Sequence, residues 1–396
     1  MKNIFFYTGN RAEFSLLKPL IDSIKNIKNV QIRLIVSGSH LDNDYGRTFD
    51  EIDNSNLGID IIKGPLKKID SYNSTSLFIA DSIKVISLIL ENFEPSLFVI
   101  YGDRSEALGA CIAASQNGFP VIHIEGGDIT EGGCLDDNVR HCMTKLSHIH
   151  CTTNQKSTQR IFKLGEENWR VKNIGLPSLD EIYKGKYASK EEVLTKFNLN
   201  LNYPLIIFTQ HTVASELPNL NNHIEQSALA LAKLYKEYSA QVICTYPNND
   251  MGSRIIIDRL IKLQNNYGGI NLYKSLGGYF YHGLLALSKE KKVKILSIGN
   301  SSSGIKETAC FNCNHLNIGT RQKGRNAPNN IINVDYNSEF IFNKASKLIN
   351  STNEEIIYDP YWNNGAGDNF RKILQDLLKM DIKKILIKTT KGTSLE

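Results

Sequence analysis

Short apolar runs alternate along this chain with longer segments in which apolar residues recur every three or four positions. A short apolar run predicts a buried strand, and the helical repeat predicts an amphipathic helix. In the first half the predicted strands are 4–7, 31–36, 59–62, 97–101, 121–124 and 148–151, and the predicted helices are 14–24, 75–93, 105–116 and 139–146. Elements in this order predict an α/β fold with a mostly parallel, doubly wound sheet.

The alternation begins again after a Lys- and Glu-rich helical segment at 184–197. The predicted strands of the second half are 205–209, 241–245, 270–273, 293–298 and 315–318, and its predicted helices are 224–238, 254–263, 281–287 and 369–380. We therefore expect two Rossmann-like domains, 1–178 and 179–368, followed by a C-terminal helix and tail, 369–396. Two such domains predict an interdomain cleft at the carboxyl edges of their sheets, where a substrate that bridges both would bind.

Composition narrows the class of protein. A chain of 396 residues that is 41% hydrophobic and 22% charged is long enough for two ordinary cores, and no apolar run approaches membrane-spanning length. The first apolar run is too short for a signal peptide, so we expect a soluble, cytoplasmic protein. The net charge of +5 comes without a block of basic and aromatic residues. Neither nucleic acid nor a membrane is expected as a partner, whereas an anionic small molecule is compatible with this charge.

The seven cysteines are odd in number and irregularly spaced, which is typical of reduced cytosolic thiols. The CxxC at Cys310 and Cys313 has no second pair, so we expect neither a zinc site nor a redox site there.

Acidic residues follow two predicted strands of the first half. Asp103 comes just after the strand 97–101, and Glu125 comes directly after the strand 121–124. Parallel strands would bring both carboxylates to the same edge of the sheet. Eleven residues further on, Asp136 and Asp137 add more acid beside Arg140 and His141. Such a cluster is suited to moving protons near an anionic substrate, although Asp103 and Glu125 could instead cap helices.

Two loops are candidates for binding an anion. Thr8, Gly9, Asn10 and Arg11 form a glycine turn before a helix, a weak signal for a phosphate or sugar oxygen. The stronger signal is the loop 299–304, in which Ser301, Ser302, Ser303 and Gly304 precede a predicted helix with Glu307 one turn inside it. We expect phosphates at this loop and a ribose at Glu307; Ser301 as a plain helix cap is the alternative.

Further candidates follow the strands of the second half. His211 comes just after the strand 205–209, and Arg321 comes after the strand 315–318. We expect His211 to bind the ligand or transfer protons, although a lone histidine is more often structural. His282 lies in a predicted helix rich in apolar residues. For this histidine a structural role and a role in binding or proton transfer are equally expected.

Six short motifs together carry a family resemblance: YGDRSE at 101–106, HIEGG at 123–127, DDNVRH at 136–141, QH at 210–211, GNSSSGIKE at 299–307 and GTRQ at 319–322. This combination resembles the hydrolysing UDP-N-acetylglucosamine 2-epimerases of sialic-acid biosynthesis, the NeuC type. The resemblance runs from residue 10 to the last helix, and it implies a GT-B fold whose C-terminal helix crosses back to the first domain.

The resemblance also implies roles for individual residues. Its catalytic acids correspond to Asp103, Glu125 and Asp136, and we add His211 as a fourth catalytic candidate. Its contacts with uridine diphosphate correspond to Arg11, Ser15, Arg104, His211, Ser301, Ser302, Glu307 and Arg321, to which we add His282, Ser303 and Gly304. We expect a UDP-sugar as substrate, UDP as a product, no metal or other cofactor, and a homodimer or homotetramer.

One segment departs from the NeuC pattern. Residues 128–135 are longer by about two positions, and GGDITEGG at 126–133 is similar to epimerases that act on UDP- or GDP-N,N'-diacetylbacillosamine. UDP-GlcNAc is the favoured substrate and the bacillosamine nucleotide is the alternative. A non-hydrolysing epimerase, a GT-B glycosyltransferase and a sugar-nucleotide sensor are the remaining hypotheses.

Overall fold

The computed structural model describes residues 1–42, 49, 52, 58–66, 71–130, 134–248, 250–290, 292–351 and 358–389. The chain divides into two compact units, each with its own parallel sheet. The first unit comprises Met1–Ile129, Leu135–Asp180 and Tyr361–Glu396, and the second comprises Thr130–Cys134 and Glu181–Pro360. The predicted α/β class with two parallel, Rossmann-like sheets is confirmed.

In the first unit the described residues form a seven-stranded sheet with the strand order β3-β2-β1-β4-β5-β6-β7. These strands are β1 Lys2–Thr8, β2 Val30–Val36, β3 Asp60–Lys63, β4 Leu97–Tyr101, β5 Val121–Ile124, β6 Ile149–Thr152 and β7 Val171–Asn173. The helices are Arg11–Ile24, Tyr72–Leu90, Ser105–Gln116, Cys134–Leu146, Gln155–Lys163, Pro177–Tyr183, Ala366–Leu377 and Ile382–Leu386. Every described pairing of neighbouring strands is parallel, so the loops that follow the strands emerge at one edge.

In the second unit the described residues form a six-stranded sheet with the strand order β10-β9-β8-β11-β12-β13. These strands are β8 Leu205–Thr209, β9 Gln241–Thr245, β10 Ile270–Tyr273, β11 Ile295–Gly299, β12 His315–Ile318 and β13 Ile331–Val334. The helices are Lys190–Phe197, Leu220–Tyr238, Ser253–Asn266, Gly277–Ala286, Ser302–Lys306 and Ser338–Asn350. This sheet is also parallel, and its core is separate from that of the first unit.

The C-terminal helix Ala366–Leu377 completes the core of the first unit. Phe370 and Leu374 are fully buried beside apolar residues of β1 and of the helix Arg11–Ile24. The ring of Phe370 meets that of Phe6 edge to face, with 6.2 Å between the centroids. The buried Asp180 accepts hydrogen bonds from the first two backbone N–H groups of this helix, each at 2.7 Å. The carboxylate therefore accepts hydrogen bonds from free donors at the helix start, and its negative charge interacts favourably with the helix dipole.

By length and composition alone, one helix in the described part of the chain, Tyr72–Leu90, could cross a membrane. It contains the polar residues Asp81, Ser82 and Lys84, so it is not a continuous apolar run. It joins β3 to β4 of the same parallel sheet, which is the position of a crossover helix. A side chain at Gly109 of the neighbouring helix would lie 2.6 Å from Ser82 Cβ, so the two helices pack closely in the globular unit.

A buried charge cluster attaches the C-terminal segment to β6 and β7. Glu166 accepts hydrogen bonds from Lys145 Nζ at 2.8 Å and His150 Nε2 at 3.1 Å, and Lys388 Nζ lies 2.8 Å from it. Arg170 donates to the carbonyl oxygens of Ile385 and Ile387 at 2.7 and 2.5 Å. The last described residues are thus held by charged hydrogen bonds as well as by apolar packing.

Candidate active site

The carboxyl edge of the first sheet brings the loops after β4 and β5 together. Tyr101 and Ile124, the last residues of these strands, are register partners, and Gly102 N donates to Ile124 O at 3.0 Å. Asp103 and Glu125 therefore emerge from neighbouring strands at one edge. The sequence predicted this placement.

Glu125 has an unusual backbone conformation. Its φ is +65°, in the left-handed region, although it is not a glycine. Such a conformation costs of order 1–3 kcal/mol and persists where the surrounding structure enforces it, often at functional sites. The Glu125 side chain is buried, and its carboxylate accepts a hydrogen bond from the Tyr101 hydroxyl. The backbone conformation and the hydrogen bond from Tyr101 together fix the position of the Glu125 carboxylate.

Asp103 is held by Arg140, which is fully buried. The two Arg140 terminal nitrogens donate to Asp103 and Asp137, and Nη1 also donates to the carbonyl oxygen of Asp128 at 2.9 Å. Arg140 therefore holds both carboxylates through charge-assisted hydrogen bonds. Asp103 does not cap the helix Ser105–Gln116, whose N-cap residue is Arg104 without a side-chain cap.

His123 lies beneath this edge and is fully buried. Gly102 O accepts its Nε2 proton at 2.8 Å, and Thr144 Oγ1 lies 3.2 Å from Nδ1. Burial lowers the pKa of His123 to about 3, so the ring is neutral at physiological pH. This histidine connects the loop after β4 with the helix Cys134–Leu146.

The remaining predicted site residues of the first unit differ in their exposure. Arg11 is the first residue of its helix, and its side chain lies outside the described residues. Ser15 and Asp136 are exposed, whereas Arg104 is half-buried. Within the acidic pair, Asp137 accepts a hydrogen bond from Arg140 Nη1. Residues 131–133, which carry part of the segment that departs from the NeuC pattern, also lie outside the described residues.

Sequence reasoning missed a pair of buried carboxyl groups, Glu13 and Glu106, at the same edge. Glu13 Oε2 accepts a hydrogen bond from Gly9 N at 2.7 Å, and Arg104 Nε donates to Glu106 Oε1 at 3.3 Å. Both glutamates stand in the first turn of a helix, where acids are common, so their sequence positions carried no distinct signal.

In the second unit, Asn300 organises the loops after β8 and β11. Its side chain accepts from His211 N at 2.6 Å and donates to His211 O at 2.9 Å. Asn248 N donates to His211 Nδ1 at 3.1 Å, which leaves the ring proton on Nε2. A side chain at Gly299 would lie 1.9 Å from Thr209 O, so only glycine permits this approach. Asn300, which the sequence did not single out, fixes the predicted His211.

The serine loop differs in detail from its prediction. The helix Ser302–Lys306 has only five residues, and Glu307 is its C-cap rather than a residue one turn inside it. The prediction for Glu307 was therefore wrong about its place in the helix. Ser301 is the N-cap residue without a side-chain cap, and its hydroxyl lies 2.9 Å from that of Ser303. The short helix has few turns to align its dipoles, so serine hydroxyls are the stronger feature of this loop.

Predicted residues nevertheless come together in this unit. His282 Nε2 lies 3.1 Å from Glu307 Oε2, and the Tyr281 hydroxyl donates to Ser303 Oγ at 3.1 Å. Arg321 Nη1 donates to Asn300 O at 3.1 Å. A side chain at Gly304 would lie 2.2 Å from the His315 ring, so this glycine is needed for packing. His211, Ser301, Ser303, Glu307, His282 and Arg321 thus lie around the carboxyl ends of β8, β11 and β12.

A family model described as UDP-N-acetylglucosamine 2-epimerase matches residues 22–375. The chain belongs to this family. A relative from Neisseria meningitidis serogroup B, called UDP-N-acetylglucosamine 2-epimerase, is 33% identical over 356 residues, which cover 86% of each chain. A relative from Campylobacter jejuni, called GDP/UDP-N,N'-diacetylbacillosamine 2-epimerase (hydrolyzing), is 32% identical over 340 residues, which cover 85% of each chain.

This epimerase-family chain also resembles solved structures. The crystal structure of UDP-GlcNAc 2-epimerase from Neisseria meningitidis bound to UDP-GlcNAc has a TM-score of 0.78 and 18% identity. The alignment covers 96% of this chain and 100% of that one. At this identity the likeness supports the fold, the GT-B-like pairing of two parallel sheets.

The two units of this family member carry different chemical groups. The first unit offers hydrogen-bonded carboxylates at a sheet edge, which can take up and return protons. The second unit offers hydroxyls, an arginine and a His–Glu pair, which can hold polar oxygens of a nucleotide. Among the described residues, no three His, Cys, Asp or Glu side chains are grouped to hold a metal ion.

Proposed function

We propose that this chain is a hydrolysing 2-epimerase that converts UDP-GlcNAc to ManNAc and UDP. The observation that carries the proposal is the carboxylate edge of the first unit, where Arg140 holds Asp103 and a strained backbone holds Glu125. A glycosyltransferase or a sensor of the same fold has no need for several fixed carboxylates beside one another. Epimerisation with loss of UDP needs them for successive proton transfers.

The reaction has two steps. A carboxylate removes the C2 proton while the C1–O bond to UDP breaks with anti geometry, which gives 2-acetamidoglucal and UDP. Water then adds across the double bond with syn geometry: hydroxide goes to C1 and a proton goes to C2 on the same face, which is opposite the face from which the first C2 proton left. The product is free ManNAc. Asp103, Glu125 and Asp136 are the proposed acids and bases, with His211 as a fourth candidate.

The departing diphosphate needs cations and hydrogen-bond donors. We assign this task to Arg11, Arg104, His211, Arg321 and the hydroxyls of Ser301–Ser303, with Ser15 and His282 as further contacts. Glu307, paired with His282, is assigned to the ribose hydroxyls. The proposed setting is sialic-acid-type sugar biosynthesis in the cytoplasm by a homodimer or homotetramer.

A bacillosamine nucleotide is the second candidate substrate. The Campylobacter jejuni relative is named for it. The GGDITEGG segment at 126–133, which is similar to that of epimerases acting on such nucleotides, also supports it. The segment touches the acid site, because Asp128 O accepts a hydrogen bond from Arg140. The two sugars differ at C4 and C6, and one unpaired buried polar group costs about 1–3 kcal/mol.

The test is incubation of the protein with UDP-GlcNAc and no acceptor, followed by NMR of the products. Free ManNAc and UDP are expected. UDP-ManNAc would indicate the non-hydrolysing reaction, and binding without turnover would indicate a sensor. The bacillosamine nucleotide is assayed in parallel: if its kcat/KM is at least tenfold higher, the second candidate replaces the first.

A further inference from the structure

Glu13 and Glu106 form a buried carboxyl pair that the proposed reaction does not use. Glu13 is 6% exposed and Glu106 is 2% exposed. They come from different helices, and both contact the turn after β1: Glu13 accepts from Gly9 N, and a side chain at Gly9 would lie 2.8 Å from Glu106 Oε1. The Gly9 turn is thus enclosed between two carboxyl groups.

Each member of the pair also contacts a predicted binding loop. Asn10 caps the helix that holds Glu13 and carries Arg11, because its side chain accepts from Glu13 N at 3.1 Å. Glu106 accepts from Arg104 Nε at 3.3 Å. The pair therefore connects the loop after β1 with the loop after β4.

The oxygens of Glu13 are not equivalent. Oε2 accepts the Gly9 N–H, whereas Oε1 is buried without a hydrogen-bond partner. The hydroxyl of Tyr7, also buried in this region, likewise has no partner. A charged carboxylate with an unsatisfied buried oxygen is costly, so burial favours the neutral acid.

We propose that Glu13 and Glu106 together hold one proton and so fix the Gly9 turn against the Arg104 loop, where the substrate diphosphate binds. This inference rests on the proposed function. Glu13 is a positioning residue. It holds the backbone N–H of Gly9, and through its neighbour Glu106 it acts on Arg104. Neutral Glu13 leaves a single negative charge, that of Glu106, beside an anion-binding edge.

The surrounding charges support this protonation state. Burial, and then the charge of Glu106, raises the pKa of Glu13 to about 8. Arg104 from the loop after β4 opposes this rise, Tyr7 faces the pair from β1, and His40, which lies 2.9 Å from Thr8 Oγ1, stands on the turn after β2. Ionisation above about pH 8 would place two carboxylates around one arginine, so they would repel each other and the diphosphate.

The experiment measures UDP affinity by calorimetry at several pH values between 6.5 and 9.5. Wild-type affinity is expected to fall roughly tenfold between pH 7 and pH 9, as one group with a pKa near 8 ionises. Glu13→Gln should bind UDP with no such fall, because an amide does not ionise and still offers an oxygen to Gly9 N. Glu13→Ala should bind more weakly than Glu13→Gln at every pH. Glu106→Gln should show a smaller fall, because ionisation of Glu13 then leaves one carboxylate of the pair beside Arg104 instead of two.

Glu192→Gln is the matched control. Glu192 is also an N3 glutamate whose carboxylate accepts a backbone N–H, from Ser189 at 2.8 Å, on an exposed helix. It should follow the wild-type curve. If Glu13→Gln shows the wild-type fall, or binds as weakly as Glu13→Ala at pH 7, the positioning role is overturned.

A second measurement separates this inference from the proposed function. The difference in Tm between Glu13→Gln and wild type should rise from pH 6 to pH 9, because a raised folded-state pKa stabilises the fold at low pH and loses that effect as the pH rises. If wild type binds no UDP at any pH, the proposed function fails. The single proton of the carboxyl pair is then tested by the Tm difference alone. A Tm difference that does not change with pH overturns the pair.

Discussion

Arg140 is buried between Asp103 and Asp137, and its removal would leave both carboxylates without their shared cation. Breaking a buried ion pair by removing one partner typically costs about 3–5 kcal/mol. We expect Arg140→Met to lower the free energy of unfolding by this amount in urea titrations. Arg254→Met, which removes an exposed i,i+4 pair with Asp258, should change it by less than about 0.5 kcal/mol. Equal effects of the two variants would contradict the structural role of Arg140.

The proposed acids make a prediction about kinetics. Asp103→Asn, Glu125→Gln and Asp136→Asn should each retain UDP binding, because these groups are assigned to the sugar rather than to the diphosphate. Their turnover should fall by about 10²–10⁴, the usual contribution of a general acid or base. Steady-state rates and calorimetric UDP affinity measured on the same preparations test this. A variant with near-normal turnover would exclude its residue from catalysis.

The sequence predicted some of these positions because the ends of buried strands are easy to locate. Asp103 and Glu125 follow β4 and β5, so their common edge follows from parallel pairing. The contact of Arg140 with Asp103 joins residues distant in sequence, and its contact with Asp137 depends on the rotation of a helix. No sequence pattern specifies either one.

Among the helices and strands, the burial of apolar residues decided which ones could be predicted from the sequence. The bounds of β4 and β5 were predicted correctly, since all their residues are buried and all but His123 are apolar or aromatic. Strands β7 and β13 were not predicted: β7 has one buried residue, and β13 has no fully buried residue. The helix Arg11–Ile24 begins before its first apolar residue because Asn10 caps it. Caps and strands with few buried residues carry little hydrophobic signal.

The short C-terminal helix Ile382–Leu386 depends on charge as well as on packing. Burial raises the pKa of Glu166, but hydrogen bonds from His150, Lys145 and Lys388 outweigh this and lower the pKa below its ordinary value. A lowered folded-state pKa adds stability above the ordinary carboxyl range, and this stability is lost as the pH falls.

Glu166→Gln should therefore loosen the C-terminal segment at neutral pH. We expect amide exchange at 382–388 to become roughly 10- to 100-fold faster, the effect of losing charged hydrogen bonds. Wild type should approach the variant as the pH falls below about 4. Glu290→Gln, which removes an exposed pair with Lys190, is the control and should exchange like wild type. Unchanged exchange in Glu166→Gln would refute this anchoring role.

At the scale of the whole molecule, each unit has its own apolar core, so we expect separable unfolding transitions. Phe370→Ala removes a fully buried ring from the first core and should cost about 3–5 kcal/mol. Calorimetry should show a lower Tm for one transition and little change in the other. Phe208→Ala, in the second core, should affect the other transition. A shift of both transitions by Phe370→Ala would mean that the units unfold together.

The packing of Phe370, Leu374 and Leu377 against the first sheet has a consequence for synthesis on the ribosome. Chains emerge from the N-terminus and domains fold as units, so residues 181–360 can fold while the first unit still lacks its last helix. Until that helix emerges, the nascent protein exposes the apolar surface that the helix will cover. We expect chaperones to bind nascent chains stalled before residue 360 and to release them once Leu377 has left the exit tunnel.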